Sequence, residues 1–379
     1  MNHLVSKSRR NFLKHSAIAS AGLGTSALVN VSKSSAQEQA PITAKPEYSL
    51  KLVSWYAPGF LNQFSMTQRL ADRVALLSDG KLAIDVIEPD NAGFPREEIF
   101  QKVSDGTVDM GRTLSYYWNE PLKRPLDFFL TIPFGLTQKE FTTWLYYLDG
   151  QALWDEVYGN YEVKPFLCGS LDAQSFGWFK QEITSSEDLK GLKYRTTGPM
   201  IDIMQRVGAN PVNLDGAEIL PALRDGRIDG AELVGPAADV KFGFEEVAPY
   251  QYWPGFHQPM GGIELIVNQS RYEQLPDDLK AILTAVCQAE HDLTQAQMHS
   301  MNAQALQQLD RAGKMQLRHL SSDVLEVVGE ASMVWINDLA TNSDSLTQRI
   351  ANSYMEARTI LKPWSEISEG WFLAARQNT

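Results

Sequence analysis

The chain has 379 residues, 44% hydrophobic and 21% charged, with 34 Lys+Arg against 46 Asp+Glu. A formal charge of −12 without a Lys/Arg-rich patch argues against a nucleic-acid partner, because phosphate backbones would repel such a surface. Cys168 and Cys287 are the only cysteines, with neither a CxxC spacing nor a neighbouring histidine, so thiol chemistry and a zinc site find no support. Two separate core thiols, or a pair that meets in an oxidising compartment, both fit that count.

At the start of the chain, Ser8-Arg9-Arg10-Asn11-Phe12-Leu13-Lys14 is a twin-arginine block ahead of an uncharged stretch from Ser16 to Val31. That is the layout of an export signal. The stretch is rich in Ala, Gly and Ser, and is too polar and too short to span a bilayer. Ser34, Ser35 and Ala36 offer a cleavage site, with Ala40 nearly as good, so residues 1–36 are expected to be a removable signal peptide. Its removal takes five basic residues and no acid, leaving 29 Lys+Arg against 46 Asp+Glu and a charge near −17. Any anionic ligand of such a body needs a local cationic anchor. No later segment approaches a membrane-spanning apolar run, and the remaining length suffices for two domains.

Residues 37–47 read as a linker. Alternation from Tyr48 to Trp55 predicts a strand, helical spacing from Phe64 to Leu77 a helix closed by Ser78-Asp79-Gly80, and Leu82 to Ile87 a second strand. This order predicts a βαβ unit. An internal echo follows: Glu98-Ile99-Phe100, Val103, Asp105-Gly106 and Val108-Asp109 recur as Glu218-Ile219-Leu220, Leu223, Asp225-Gly226 and Ile228-Asp229. Each copy reads as a helix, a glycine able to take positive φ, and a short strand, which suggests two α/β lobes of related design.

Between and beyond the copies, Phe128 to Pro133 is strand-like, and Glu140 to Tyr158 is helical, with Trp144, Leu148, Leu153 and Trp154 as packing residues. Cys168 to Phe179 is expected to be a strand crossing between the lobes. Ser185 or Ser186 caps a short helix ended by Gly191, and Leu192 to Arg195 is a strand finishing at Arg195. The lobes are expected to divide as 48–165 with part of 255–320, and 170–255, followed by a helical extension over 320–379. Pro276 opens a regular helix over residues 275–309. A second long pattern, from Val324 to about Leu361 with a break near Asn342, has apolar surface to spare. It suits either a dimer contact or a fold-back across both domains.

Arg195 is the first candidate for function, since it ends a strand beside a Gly/Thr/Pro loop and open α/β sheets bind ligands at the carboxyl ends of their strands. A guanidinium there can hold a carboxylate through two parallel hydrogen bonds, although a surface cation paired with an acid has the same sequence appearance. Glu232 lies between apolar residues in Asp229 to Pro236 and needs compensation by a metal, an arginine or a ligand if buried. Gln174 can add a neutral oxygen, or be an ordinary strand-surface amide. Together with a backbone carbonyl they make a coherent set for a hard cation. Tyr116, Tyr117 and Trp118, and Tyr250, Tyr252, Trp253 and Phe256, can wall a pocket or simply pack a core. Glu264, in the apolar run from Ile263 to Val267, raises the same question as Glu232. GxSxG, HExxH, P-loop and GxGxxG signatures are absent. His291, His299 and His319 are expected on helix surfaces. His257 falls in a cleft loop without a neighbouring nucleophile. The expectation is a binding protein; an exported lyase or hydrolase using Glu232 or His257 as base is the rival.

With the twin-arginine block, Gln174, Gly191-Leu192-Lys193-Tyr194-Arg195, Asp229 to Pro236, Tyr146-Tyr147, Gly150 to Trp154 and Trp253 to His257 in view, the chain resembles the substrate-binding subunit of tripartite ATP-independent periplasmic (TRAP) transporters. It is most similar to the branch that binds 2-oxo acids such as pyruvate. The resemblance implies a periplasmic binding protein-like α/β fold of two lobes with a ligand cleft between them and long C-terminal helices. It implies that Arg195 grips the carboxylate of a small monocarboxylate, with Tyr116, Tyr117 and Glu264 at the pocket. A cation, sodium or calcium, would bridge ligand and protein through Gln174, Glu232 and the backbone carbonyl of Leu233. That branch often carries a tryptophan where this chain has Leu233, which leaves the substrate open among several oxo acids and lactate. TRAP membrane permease subunits would be the partners, a membrane sensor being the alternative, and a homodimer through the C-terminal helix is implied.

Overall fold

The computed structural model describes residues 45–117 and 123–377. The twin-arginine segment and its cleavage site, the linker through residue 44, Trp118 and the side chain of Tyr116 lie outside the described residues.

The expected βαβ unit is present: β1 (Tyr48–Ser54), α1 (Gln63–Leu77) and β2 (Leu82–Ile87), with β1 and β2 parallel from Tyr48↔Leu82 to Val53↔Ile87. Next come α2 (Ile99–Ser104), β3 (Met110–Thr113), α3 (Lys123–Asp127), α4 (Gln138–Tyr147), α5 (Gly150–Gly159) and β4 (Val163–Ser170). The chain continues through β5 (Gly177–Phe179), β6 (Lys193–Arg195), α6 (Pro199–Arg206), β7 (Asn210–Val212), α7 (Gly216–Asp225), β8 (Gly230–Ala231), α8 (Pro236–Phe242) and β9 (Tyr250–Trp253). It closes with β10 (Gly262–Asn268), α9 (Gln269–Glu273), α10 (Asp277–Arg311), β11 (Gln316–His319), α11 (Ser322–Asn342), α12 (Ser345–Ser365) and α13 (Trp371–Arg376).

These strands form two sheets, β2-β1-β3-β10-β4 in the first lobe and β11-β9-β5-β8-β6-β7 in the second. Both copies of the echo fold as a helix, a positive-φ glycine (Gly106 at 77°, Gly226 at 73°) and a strand, and each of those strands, β3 and β8, is an inner strand of its sheet. On one face of the first sheet Leu50, Leu52, Met110 and Leu265 pack with Leu70 and Val74 of α1 and Leu279, Leu283 and Val286 of α10. At 1.5 Å per residue α10 is about 50 Å long, enough to pack on α1 and β4 in the first lobe and on α8 in the second. Its Glu290, only 1% exposed, is compensated by Arg69 (2.8 Å) and Arg73 (3.1 Å) of α1.

Several sequence expectations change in the folded chain. Phe128 to Pro133 is not a strand: it runs irregularly after α3 with Phe128, Phe129, Leu130 and Ile132 buried, because an apolar run can bury itself without a sheet partner. Cys168 to Phe179 is not one strand either. β4 ends at Ser170, Asp172 takes a positive φ of 66°, and β5 begins at Gly177 in the other sheet, so the crossing itself is irregular. The helix over 140–158 breaks at Leu148, which is extended and exposed. Gln316–His319 joins the second sheet, which places His319 in a strand, and His291 is buried, with Nδ1 2.8 Å from Gly169 O. Cys168 and Cys287 meet in the core as free thiols; burial, with the other thiol alongside, pushes the Cys287 thiol up.

The terminal pattern splits at Ser343, where Asp344 caps α12 through the amides of Leu346 and Thr347. α11 packs on α6, with Trp335 Nε1 donating to Asp202 at 3.2 Å, while α12 returns to the first lobe. There Tyr354 Oη accepts from the Leu136 amide at 2.7 Å and Trp144 Nε1 donates to Ser353 Oγ at 3.0 Å. The fold-back packs apolar residues up to about Leu361, and Glu369 further on pairs with Lys139 of α4 at 2.7 Å. Along this last stretch Ile360, Trp364, Ile367, Trp371, Phe372 and Leu373 are exposed.

Candidate functional site

β6 and β8 lie parallel with Arg195 opposite Ala231, and the Glu232 amide donates to Arg195 O at 3.2 Å. Strand pairing thus fixes the two candidate side chains at the same carboxyl edge. Arg195 and Glu232 are both buried. The guanidinium donates from Nε to Leu214 O (3.0 Å) and from Nη1 to Glu232 O (2.7 Å) and Glu232 Oε1 (3.1 Å). Among the described residues no hydrogen bond engages Nη2, which leaves donors of a rigidly held fork available to an anion.

Gln174 lies in the irregular crossing between β4 and β5, its backbone N–H donating to Gln258 O at 3.1 Å. As placed, its side-chain oxygen lies 3.2 Å from Leu233 O and 3.2 Å from Glu232 Oε2, three acceptors with no proton among them. Rotating the amide by half a turn would put its NH2 between those oxygens and let its own oxygen accept from Gln258 Nε2 at 2.8 Å. Whichever end faces inward is decided by what occupies the gap: amide hydrogens alone, or a cation ringed by three oxygens. The donor set of one carboxylate, one amide oxygen and one backbone carbonyl fits a hard cation. Burial pushes the Glu232 carboxyl up, and Arg195, the Thr196 hydroxyl and the Thr197 amide pull it back.

Asp239, which the sequence reading passed over, braces the loop that carries Leu233. Its carboxylate accepts from the amides of Val234 (3.5 Å) and Gly235 (3.3 Å) and from Trp178 Nε1 (2.8 Å), while burial pushes it up to about 7. The signal was available: Gly235-Pro236 opens α8, and an Asp in the first turn favourably meets the free amides at a helix start. Gln258 carried no comparable mark.

The other candidates sit on the first lobe. Glu264 in β10 is 1% exposed and accepts from Tyr158 Oη at 2.6 Å, and Tyr117 stacks on Trp55 with ring centroids 3.8 Å apart. The structure therefore gathers Arg195, Glu232, Leu233 and Gln174 into one cluster, and sets Glu264 and Tyr117 on the opposing lobe. His257 is enclosed, edge-on to Phe256, with no partner for either ring nitrogen among the described residues, and burial drives it down to about 3. It lies in a loop, as expected, next to the Gln258 that contacts Gln174, but its ring is buried there.

That burial has a measurable consequence. Unfolded His257 binds a proton below about pH 6.5 while the folded residue stays neutral, so stability falls as pH drops from 6.5 toward 3. The loss amounts to about 2 kcal/mol at pH 5. His257→Leu is expected to remove it, seen as a smaller drop in unfolding free energy between pH 7.5 and 5 than in the unsubstituted chain. Equal drops would refute the assignment. Asp239 has the opposite linkage, its contribution rising as pH falls from about 7, and cancels in that difference.

Two α/β lobes on either side of an irregular crossing, with a buried guanidinium and three converging oxygens at one strand edge, define a two-lobed solute-binding architecture. Residues 57–341 match the profile of the bacterial extracellular solute-binding proteins, family 7, and the chain belongs to that family. It is 33% identical over 369 residues to a monocarboxylate 2-oxoacid-binding periplasmic protein of Nostoc sp. (strain PCC 7120), covering 95% of this chain and 96% of that one. Among solved structures, a TRAP periplasmic solute-binding protein of Colwellia psychrerythraea with bound calcium and pyruvate has a TM-score of 0.79 at 33% identity, covering 86% of this chain and 99% of that one. One from Pseudoalteromonas atlantica T6c with bound sodium and pyruvate has a TM-score of 0.78 at 31% identity, covering 86% and 98%. This is a family of solute receptors rather than of enzymes. No described helix is long and apolar enough to cross a membrane.

Proposed function

We propose that the chain captures a small 2-oxo monocarboxylate, such as pyruvate, between its lobes in the periplasm and presents it to TRAP membrane permease subunits without altering it. The observation that carries this is the convergence of Gln174, Glu232 and Leu233 O beside the open Nη2 of Arg195. Gln174, Glu232 and Leu233 would hold a sodium or calcium ion, which supplies positive charge shared between protein oxygens and those of the ligand. Arg195 orients the carboxylate. The lobes contribute different contacts, so the ligand favours the closed arrangement by its differential affinity. The relatives that bind pyruvate with sodium or calcium support the assignment. Export through a twin-arginine signal over residues 1–36 belongs to the same proposal.

Mass spectrometry of ligand released from gently purified protein, with elemental analysis of the same sample, tests it. A 2-oxo acid at one equivalent with sodium or calcium, unchanged after long incubation, is expected. A ligand lacking a carboxylate, or steady conversion of the ligand, would end the proposal.

The exposed Trp364, Ile367, Trp371, Phe372 and Leu373 are proposed to dock on a second copy of the chain. Truncation after Leu361 is expected to halve the mass measured by light scattering while the ligand is retained. An unchanged mass would place the dimer contact elsewhere.

A further inference from the structure

The first lobe presents a buried group that the proposed site does not use. Tyr56 is 4% exposed, and its Oη has no hydrogen-bond partner among the described residues. The ring is otherwise held: it stacks on Phe60 with centroids 5.8 Å apart, the Arg112 guanidinium lies 5.9 Å from its centroid, and its backbone N–H donates to Ser54 Oγ at 3.1 Å. Burial is the main cause that pushes the phenol well above its ordinary range, so it stays an O–H donor. A buried donor without an acceptor is costly in a folded chain and calls for a partner.

Its position says where that partner comes from. Tyr56 lies two residues past β1 at the carboxyl edge of the parallel strands β1 and β3, the edge at which open α/β sheets take ligands. At the end of β3, Thr113 lies opposite Glu264, and its Oγ1 is likewise buried without a partner among the described residues. The loop that Tyr56 begins also reaches the other lobe, since Lys241 Nζ of α8 donates to Gly59 O at 3.5 Å. α8 starts three residues after Leu233, whose carbonyl belongs to the cluster beside Arg195.

We infer that Tyr56 is a ligand-binding residue of the first lobe, whose phenolic O–H donates a hydrogen bond to an oxygen of the small carboxylate held by Arg195. This rests on the proposed capture of a 2-oxo acid and adds a donor from the opposite wall. The ligand then completes the hydrogen bonding of a group that the protein alone leaves unpaired, which gives the closed arrangement a contact the open one lacks.

Tyr56→Phe removes only the hydroxyl. Calorimetric titration with pyruvate in calcium-containing buffer is expected to show at least tenfold weaker binding. The melting temperature of the ligand-free variant should match or exceed that of the unsubstituted chain, because no internal hydrogen bond is lost. Unchanged affinity would overturn the inference and assign the hydroxyl to water. A lowered ligand-free melting temperature alongside weaker binding would overturn it too, by showing a structural role. If the unsubstituted chain itself fails to bind pyruvate, the oxo-acid proposal falls and takes this inference with it, a result distinct from a defect confined to the variant.

Discussion

Arg195→Ala protein is expected to bind pyruvate at least about 100-fold more weakly, corresponding to roughly 3 kcal/mol or more for loss of a buried charge-assisted fork. Arg195→Lys should recover little of it. A lysine ammonium is a point donor on a flexible stem, and it cannot hold Leu214 O, Glu232 and a carboxylate at once as Nε, Nη1 and Nη2 can. The alanine variant should also unfold at lower temperature in the absence of ligand, because Glu232 is left buried without its cation. Titration calorimetry and thermal unfolding separate the two effects. Affinity equal to that of the unsubstituted chain in the alanine variant would remove the anchor from the site.

The cation makes the second large effect. Removing calcium with a chelator, in buffer with potassium in place of sodium, is expected to weaken pyruvate binding on the order of 100-fold, and restoring either ion should recover it. Glu232→Gln should behave like the depleted protein at all ion concentrations. Gln174→Leu removes a neutral oxygen and should cost less. A thermal shift produced by ion and pyruvate together should exceed the sum of the separate shifts, because each completes the other's coordination. Binding that ignores the ion entirely would leave the three oxygens as an ordinary hydrogen-bonded cluster with the Gln174 amino group turned inward.

Much of the architecture is written locally. The alternation in Tyr48–Ser54 and Leu82–Ile87 and the helical spacing between them produce β1, α1 and β2 almost residue for residue, since Leu50, Leu52 and Leu82 of the strands and Leu70 and Val74 of the helix meet in one core layer. The echo is legible because a helix exit through Asp-Gly has one favourable geometry, with glycine at positive φ. Strands of two or three residues such as β5 and β8 leave no periodicity to read; their neighbours in the sheet hold them. Phe128 to Pro133 and His291 defeated sequence reasoning for a related reason: hydropathy reports that a residue is buried, but not by what.

The same division runs through the site. The sequence by itself determined the chemistry on offer: an anionic chain with an arginine at a strand end, an acid among apolar residues that must be compensated, and two lobes announced by a repeated unit. Tertiary structure alone decided that Arg195 spends Nη1 on Glu232 and keeps Nη2, that Gln174 points its amide at Glu232 and Leu233 O, and that Tyr56 is sealed in without a partner among the described residues. Those outcomes depend on β6 pairing with β8 and on where the crossing from β4 to β5 lies against the second sheet. Contacts between residues far apart in the chain set them, and no local pattern encodes the distance between two side chains carried by different strands.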